Sequence, residues 1–352
     1  MNGLDTTVVG SFPVLPFYPV KQDFPPYTDV VPEGEVVMDN PFIPGVFKAL
    51  RIQCRTGVDY PSYGQPQEMC SMFLGHLLGH GLTPAGKGFE VVGNIDVPRG
   101  YPGIEYLQIA RKFFPVKGVK MPVTGPLTLA AAVKVGETPA IGYPEVVENL
   151  GKFVAHIARG YDQGGASIIS VDEPSLVYAL YVGLEPEFCI EMINKSLGGI
   201  RNAVPSIHVC GEMSTNMTDI ALATKARVLD HEFAALPRNL EMYSKEDLES
   251  NGKILGYGCV ETNVEPNLLV EVQKDGKWQR VVEPVAVIKK RICDAVERWG
   301  AENIIVDPDC GFGGLRGYIR GQLTEDVALS ICQEKLSNMV RAAHMVREEA
   351  AL

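Results

Sequence analysis

Short runs rich in β-branched and aliphatic residues alternate along the chain with longer stretches whose apolar positions recur every three to four residues. A period near two marks strands and a period near 3.6 marks amphipathic helices. Eight runs read as strands: 7–10, 57–62, 119–124, 167–172, 206–210, 227–232, 254–260 and 304–307. Helical patterns occupy 144–163, 186–202, 285–299 and 324–349, among others. Strand–helix alternation implies a parallel sheet. Eight such units predict an α/β fold, a (β/α)8 TIM barrel with elaborated βα loops, formed by residues 1–352 as one domain. The rival is a doubly wound open sheet, which usually carries a Gly-rich phosphate turn after its first strand. Val8-Val9-Gly10-Ser11-Phe12-Pro13 is not such a turn.

Three stretches break the rhythm. Residues 12–44 are rich in Pro and aromatics, residues 79–103 are rich in Gly, and residues 270–282 read as a β-hairpin around Asp275-Gly276. In a barrel the first and third flank the C-terminal mouth, where active sites are built.

Composition narrows the function. Lys and Arg number 32 against 43 Asp and Glu, a net charge of −11, which disfavours a nucleic-acid binder. No apolar run approaches the roughly 18 residues of a membrane span. The segment MNGLDTTVVGSFP lacks a basic region followed by an apolar core, so a cytoplasmic location is expected. There the eight cysteines are expected as reduced thiols rather than a disulfide framework. Cys54, Cys70, Cys189, Cys293 and Cys332 lie among helical apolar residues and read as core filling. Cys210, Cys259 and Cys310 sit at or near the ends of apolar runs, beside Gly or charged residues.

Three of the predicted strands end in chemistry: His208-Val209-Cys210, Glu232, and Asp307-Pro308-Asp309-Cys310. Residues i and i+2 of a strand face one side, so His208 and Cys210 can point at one centre. Two thiolates, an imidazole and a carboxylate form a set suited to zinc. On spacing alone the His-x-Cys pair is weak evidence, and it reads also as a buried histidine and a core cysteine. Cys310 at another strand end on the same face favours the metal.

The motifs Thr6-Thr7-Val8-Val9-Gly10-Ser11-Phe12-Pro13, Gly125-Pro126-Leu127-Thr128, Asp172-Glu173-Pro174, His208-Val209-Cys210, Glu232 and Pro308-Asp309-Cys310-Gly311 follow one another across nearly the whole chain. In this order they resemble the catalytic barrel of the cobalamin-independent methionine synthase family, in a short, core-only form. The resemblance implies zinc (Zn2+) held by His208, Cys210, Glu232 and Cys310, with Glu232 the ligand that the homocysteine sulfur displaces. It also implies a homocysteine site in which Gly10, Ser11 and nearby backbone N–H groups hold the carboxylate and Asp172 pairs with the ammonium. Outside the resemblance, Asp172 reads as a helix N-cap and Ser11 as a turn residue.

The chain departs from the family at several positions. The family's Trp beyond the Gly-Pro-x-Thr motif falls among Ala130-Ala131-Ala132, and the Glu six residues after the DEP aspartate falls on Tyr178. A pterin loses a large apolar contact and a fixed polar one. The G-E turn toward the homocysteine amine is Gly64-Gln65, where a neutral amide accepts without charge assistance. The family's acid His near Val260 is missing, and Glu261 beside that position is a possible catalytic group. These losses imply methylcobalamin or a methylated corrinoid protein as donor rather than folate. The 12–44 and 270–282 loops would form a docking rim, with Trp278 as an aromatic anchor. The alternatives are a methylcorrinoid methyltransferase acting on another thiol such as coenzyme M, a folate-dependent methionine synthase, a porphyrin decarboxylase barrel, and a non-catalytic zinc protein.

Overall fold

The computed structural model describes residues 3–14, 40–319 and 323–350. Six strands pair in parallel, each with the next in chain order: β1 (Lys120–Thr124), β2 (Ile168–Asp172), β3 (Val204–His208), β4 (Val228–Glu232), β5 (Ile254–Val260) and β6 (Ile304–Pro308). Two extended segments complete the ring. Thr6 bridges Val306 on β6, Thr7 bridges Tyr60, and Ser62 bridges Lys120 on β1, all in parallel. The wall thus has eight staves and closes on itself, which excludes the open sheet.

A helix follows each stave: α1 (Ile43–Thr56), α2 (Ile104–Phe113), α3 (Pro144–Gln163), α4 (Pro186–Leu197), α5 (Thr215–Ala223), α6 (Lys245–Asn251), α7 (Val285–Trp299) and α8 (Glu325–Glu349). Most lay an apolar stripe on the wall, while the short α6 buries Leu248 alone. In α3 the stripe is Val146, Val147, Leu150, Val154 and Ile157, entered through Pro144, whose missing N–H is no loss in a first turn. The predicted helix over 186–202 stops earlier, at Leu197, before Gly198-Gly199.

Inside the barrel, Val204, Val228, Ile254 and Ile305 form an apolar floor. Two residues further along the same strands the chain places Ser206, Asp230 and Asp307, then His208 and Glu232 nearest the C-terminal mouth, with Asp309 just past the end of β6. Strand alternation therefore stacks polar side chains above the floor.

Residues 270–282 are not a hairpin. A helix, Pro266–Asp275, runs through the predicted first strand, and a 3-10 turn, Trp278–Val281, follows. The Glu265 side chain accepts from Asn267 N at 3.0 Å to cap the start, and Leu269 and Val272 bury one face at helical spacing. Gly276, at φ +69°, ends the helix, so Asp275-Gly276 is a helix stop rather than a strand reversal. Trp278 is partly buried against the core rather than displayed. Within 79–103, Leu82–Ala85 pairs with Gly88–Val91, and Val133–Val135 and Thr138–Pro139 extend them into a four-stranded sheet. Of the 12–44 stretch, residues 15–39 lie outside the described residues. Among the described residues, no helix is long and apolar enough to cross a membrane.

Candidate metal and thiol site

β3 ends at His208 and β6 at Pro308, so Cys210 and Cys310 each stand two residues past a strand end. The strand predicted over 206–210 thus sits two residues earlier. Cys210 belongs to the turn that Gly211 makes at φ +93° rather than to the pleat. The turn still brings the groups together. His208 Nε2 lies 2.9 Å from Cys210 Sγ, and the two sulfurs are 3.6 Å apart as free thiols. Ligand atoms of His208, Cys210 and Cys310 all fall within 4.8 Å of one another.

The other imidazole nitrogen, Nδ1, donates to Asp230 Oδ1 at 2.9 Å. That bond fixes the tautomer and leaves Nε2 facing the sulfurs. The sulfurs cannot both ionise cheaply so close together. The hydrogen bond from Cys210, then His208, holds the Cys310 thiol well below its ordinary range. Its counterpart Cys210, sharing that bond in a buried place, is pushed up. Burial opposes a charge on His208, but Cys210 and Asp230 outweigh it and raise the imidazole. Two sulfurs and one imidazole from two strand ends, with a carboxylate behind the imidazole, fit a borderline-soft dication such as zinc and leave a coordination position open.

Glu232 flanks the trio rather than joining it. Its carboxylate accepts from Gly211 N at 3.3 Å, beside Cys210, and burial followed by the neighbouring Cys310 raises its pKa. Cys259 is fully buried core and takes no part.

The substrate candidates surround the same mouth. Asp172 ends β2 in register with His208 on β3. It is buried and accepts from Ser170 Oγ at 2.6 Å; burial pushes it up to about 6, against the pull of His208 and Lys120. Ser11 is tied to the loop after Cys310: its carbonyl accepts from Phe312 N at 2.7 Å and its Oγ from Gly313 N at 3.1 Å. Gly311 is required there, since a Cβ on it would stand 2.2 Å from Ser11 Oγ. Gln65 adopts φ +36°, unusual for a side-chain-bearing residue, and its Oε1 packs where a Cβ on Gly10 would lie, 2.6 Å away. Arg316 donates to the carbonyls of Phe12 and Gln65, so one guanidinium joins the loops of three staves.

Glu261 is engaged elsewhere. Its carboxylate pairs with Arg291 at 3.4 Å and it lines a groove of about 350 Å³ with Asn263, Arg280 and Lys335. Ala130 is buried, and Tyr178 lies partly exposed on the short helix Leu176–Tyr181.

Sequence reasoning missed four supporting groups. Asp230 and Lys120 stand in the barrel lumen, with Lys120 Nζ donating to Asp230 Oδ2 at 2.7 Å. Glu173 accepts from Leu127 N, Thr128 N and Thr128 Oγ1 at 2.9, 2.8 and 2.7 Å, binding the Gly-Pro-Leu-Thr motif to the Asp-Glu-Pro motif. Asp309 accepts from Phe233, Ala234 and Ala235 N at 2.9, 2.9 and 2.7 Å, fixing the loop after Glu232. The signal for Asp230 was present: strand alternation puts it two residues from Glu232 on the inward face. Asp309 lies past the end of β6, after a register shift at Asp307/Pro308, where alternation gives no guide.

Comparison with known proteins places this arrangement. The family model described as cobalamin-independent synthase, catalytic domain, matches residues 4–344. A methionine synthase of Methanothermobacter marburgensis is 29% identical over 353 residues, covering 96% of this chain and 98% of that protein. A methionine synthase of Methanocaldococcus jannaschii is 29% identical over 347 residues, covering 97% and 99%. The structure of a B12-independent methionine synthase from Shewanella sp. W3-18-1 with selenomethionine superposes with a TM-score of 0.70 at 17% identity, over 99% of this chain and 100% of that one, a likeness of fold. The chain therefore belongs to the cobalamin-independent synthase family and is an enzyme built on that family's catalytic barrel.

Proposed function

We propose that residues 1–352 form a single catalytic barrel, a zinc-dependent methyltransferase that makes methionine by methyl transfer to homocysteine. The observation that carries this reading is the convergence of His208, Cys210 and Cys310 within 4.8 Å at the barrel mouth, with Asp172 on the adjacent strand. The names of the archaeal relatives support the acceptor.

Zinc, held by His208, Cys210, Cys310 and Glu232, would keep the homocysteine sulfur as a thiolate at neutral pH, where a free thiol of pKa about 8.5 is mostly protonated. Glu232 would swing aside to admit that sulfur; its bond to Gly211 N gives the released carboxylate a resting place. Asp172 would hold the ammonium in a buried site, where the incoming cation restores its charge. The backbone around Gly10 and Ser11 would hold the carboxylate, and Gln65 would add a neutral acceptor.

For the donor we favour methylcobalamin, carried in the cell on a corrinoid protein. Such a donor would supply a methyl group whose departure leaves the bond's electron pair on the cobalt, so this chain's residues would need only to hold and align the thiolate. No protein acid is needed at that leaving group, in keeping with the engagement of Glu261 by Arg291. Buried Ala130 offers no indole for a pterin.

Methyl transfer assays with purified protein test the reading. Methionine should form from methylcobalamin and homocysteine, and Cys310→Ser should lose both zinc and activity while staying folded. Faster turnover with methyltetrahydrofolate would overturn the donor. Preference for coenzyme M over homocysteine would overturn the acceptor.

A further inference from the structure

Below the two sulfurs, inside the barrel, three buried side chains stand in series. Lys120 Nζ donates to Asp230 Oδ2 at 2.7 Å, and His208 Nδ1 donates to Asp230 Oδ1 at 2.9 Å. Their side chains are 1%, 0% and 2% exposed. His208 and Asp230 are partners in register on the adjacent strands β3 and β4, and Lys120 reaches them from β1, two strands beyond β3. A buried ion pair of this kind seldom stabilises a fold beyond what apolar packing of the same volume would do, and its position calls for another reason. The strand beside it is shaped for it: a Cβ on Gly256 would lie 2.7 Å from Asp230 Cβ and 2.8 Å from its Cα. Glycine on β5 leaves room for Asp230 to stand in the lumen.

We propose that Asp230 and Lys120 are positioning residues that set the donor strength of His208 toward its metal, an inference that rests on the zinc reading above. Asp230 holds the Nδ1 proton, so Nε2 is the nitrogen offered toward Cys210 and Cys310. Lys120, on the other carboxylate oxygen, draws charge away from Asp230. The imidazole then remains a neutral ligand instead of becoming imidazolate-like and loading the metal with negative charge. A less negative centre acidifies a bound thiol more strongly. Lys120 also faces Asp307 and Asp172. It is therefore the cation that balances the acidic lumen beneath the site.

The test separates metal binding from turnover. Zinc affinity of the intact chain is measured by competition with a chromophoric chelator, and cobalt(II) absorption reports the sulfur–metal band. Zinc binding by the wild type that Cys310→Ser abolishes carries the site reading; a wild type that binds no zinc, or binds it as the Cys310→Ser variant does, overturns that reading. With wild-type binding established, Asp230→Asn should weaken zinc by about 10- to 100-fold. Lys120→Met should bind zinc at least as tightly as the wild type but lower kcat by about tenfold, with KM for homocysteine little changed. Asp230→Asn with wild-type affinity, or Lys120→Met with wild-type kcat or with weakened zinc, would overturn the inference. If Asp230→Asn does not fold, Asp230→Asn combined with Lys120→Met removes both partners of that ion pair together and reads the same loss of affinity.

Discussion

Replacing Glu173 with Gln isolates what one buried carboxylate does for the site. Glu173 is fully buried and takes three hydrogen bonds from Leu127 N, Thr128 N and Thr128 Oγ1. Burial nevertheless pushes its pKa up from about 4.5 to about 7, the bonds opposing the shift. An acid whose folded pKa lies above its unfolded one adds stability that is fully present below the unfolded value. That stability is lost as pH rises through the folded value. Between pH 5 and pH 8 the linkage amounts to about 2 to 3 kcal/mol of stability that the wild type loses and a neutral Gln does not. The amide brings its own cost. It has one acceptor oxygen and turns an NH2 toward one of the two backbone N–H groups, leaving a buried donor unmet at about 1 to 3 kcal/mol at any pH. Urea unfolding of both proteins from pH 5 to 8.5 checks the sum: Glu173→Gln should be the less stable protein at pH 5 and should close or reverse the gap by pH 8. A stability difference that stays constant across that range would refute the reasoning.

Three shorter predictions follow from other contacts. Gln65→Glu should lower KM for homocysteine severalfold in steady-state assays, since a charge-assisted bond to an ammonium exceeds a neutral one by about 1 kcal/mol; an unchanged KM would remove Gln65 from the substrate. Asp162 accepts from Asn202 N, Asn202 Nδ2 and Ala203 N at 2.8, 2.9 and 2.7 Å, fastening the entry to β3. Asp162→Ala should cost about 2 to 4 kcal/mol in chemical denaturation. Gly256→Ala, by forcing a methyl against Asp230, should cost about 1 to 3 kcal/mol and show as a lowered Tm.

Much of the barrel was legible because strands buried on both faces carry dense aliphatic runs, and because amphipathic helices separate them. His208, Cys210 and Cys310 were legible because soft ligands at strand ends point to one chemistry. Lys120 was not: a lysine at the start of an apolar run looks like a solvated strand end, and only the fold shows that it reaches into the lumen to meet Asp230, 110 positions away. Asp275-Gly276 misled for a physical reason. A glycine at positive φ serves a hairpin turn and a helix stop alike, and the deciding contacts of Leu269 and Val272 belong to tertiary packing. The two-residue offset of β3 has a similar origin. Val209 still donates to Asp230 O at 3.2 Å, but the pleat yields to the Gly211 turn, which sequence alternation does not reveal.

The seam between Ser11 and the Gly311–Gly313 backbone has a consequence for anyone wishing to redirect the acceptor. Ser11 is fastened through both its carbonyl and its hydroxyl to the segment that delivers Cys310, and a methyl on Gly313 would fall 2.5 Å from that hydroxyl. Remodelling this turn for a thiol with a different head group would drag Cys310 with it, so on the proposed zinc reading selectivity changes made there should surface first as weakened metal binding. Gln65 and Asp172 sit on other staves and offer the freer handles for redesign.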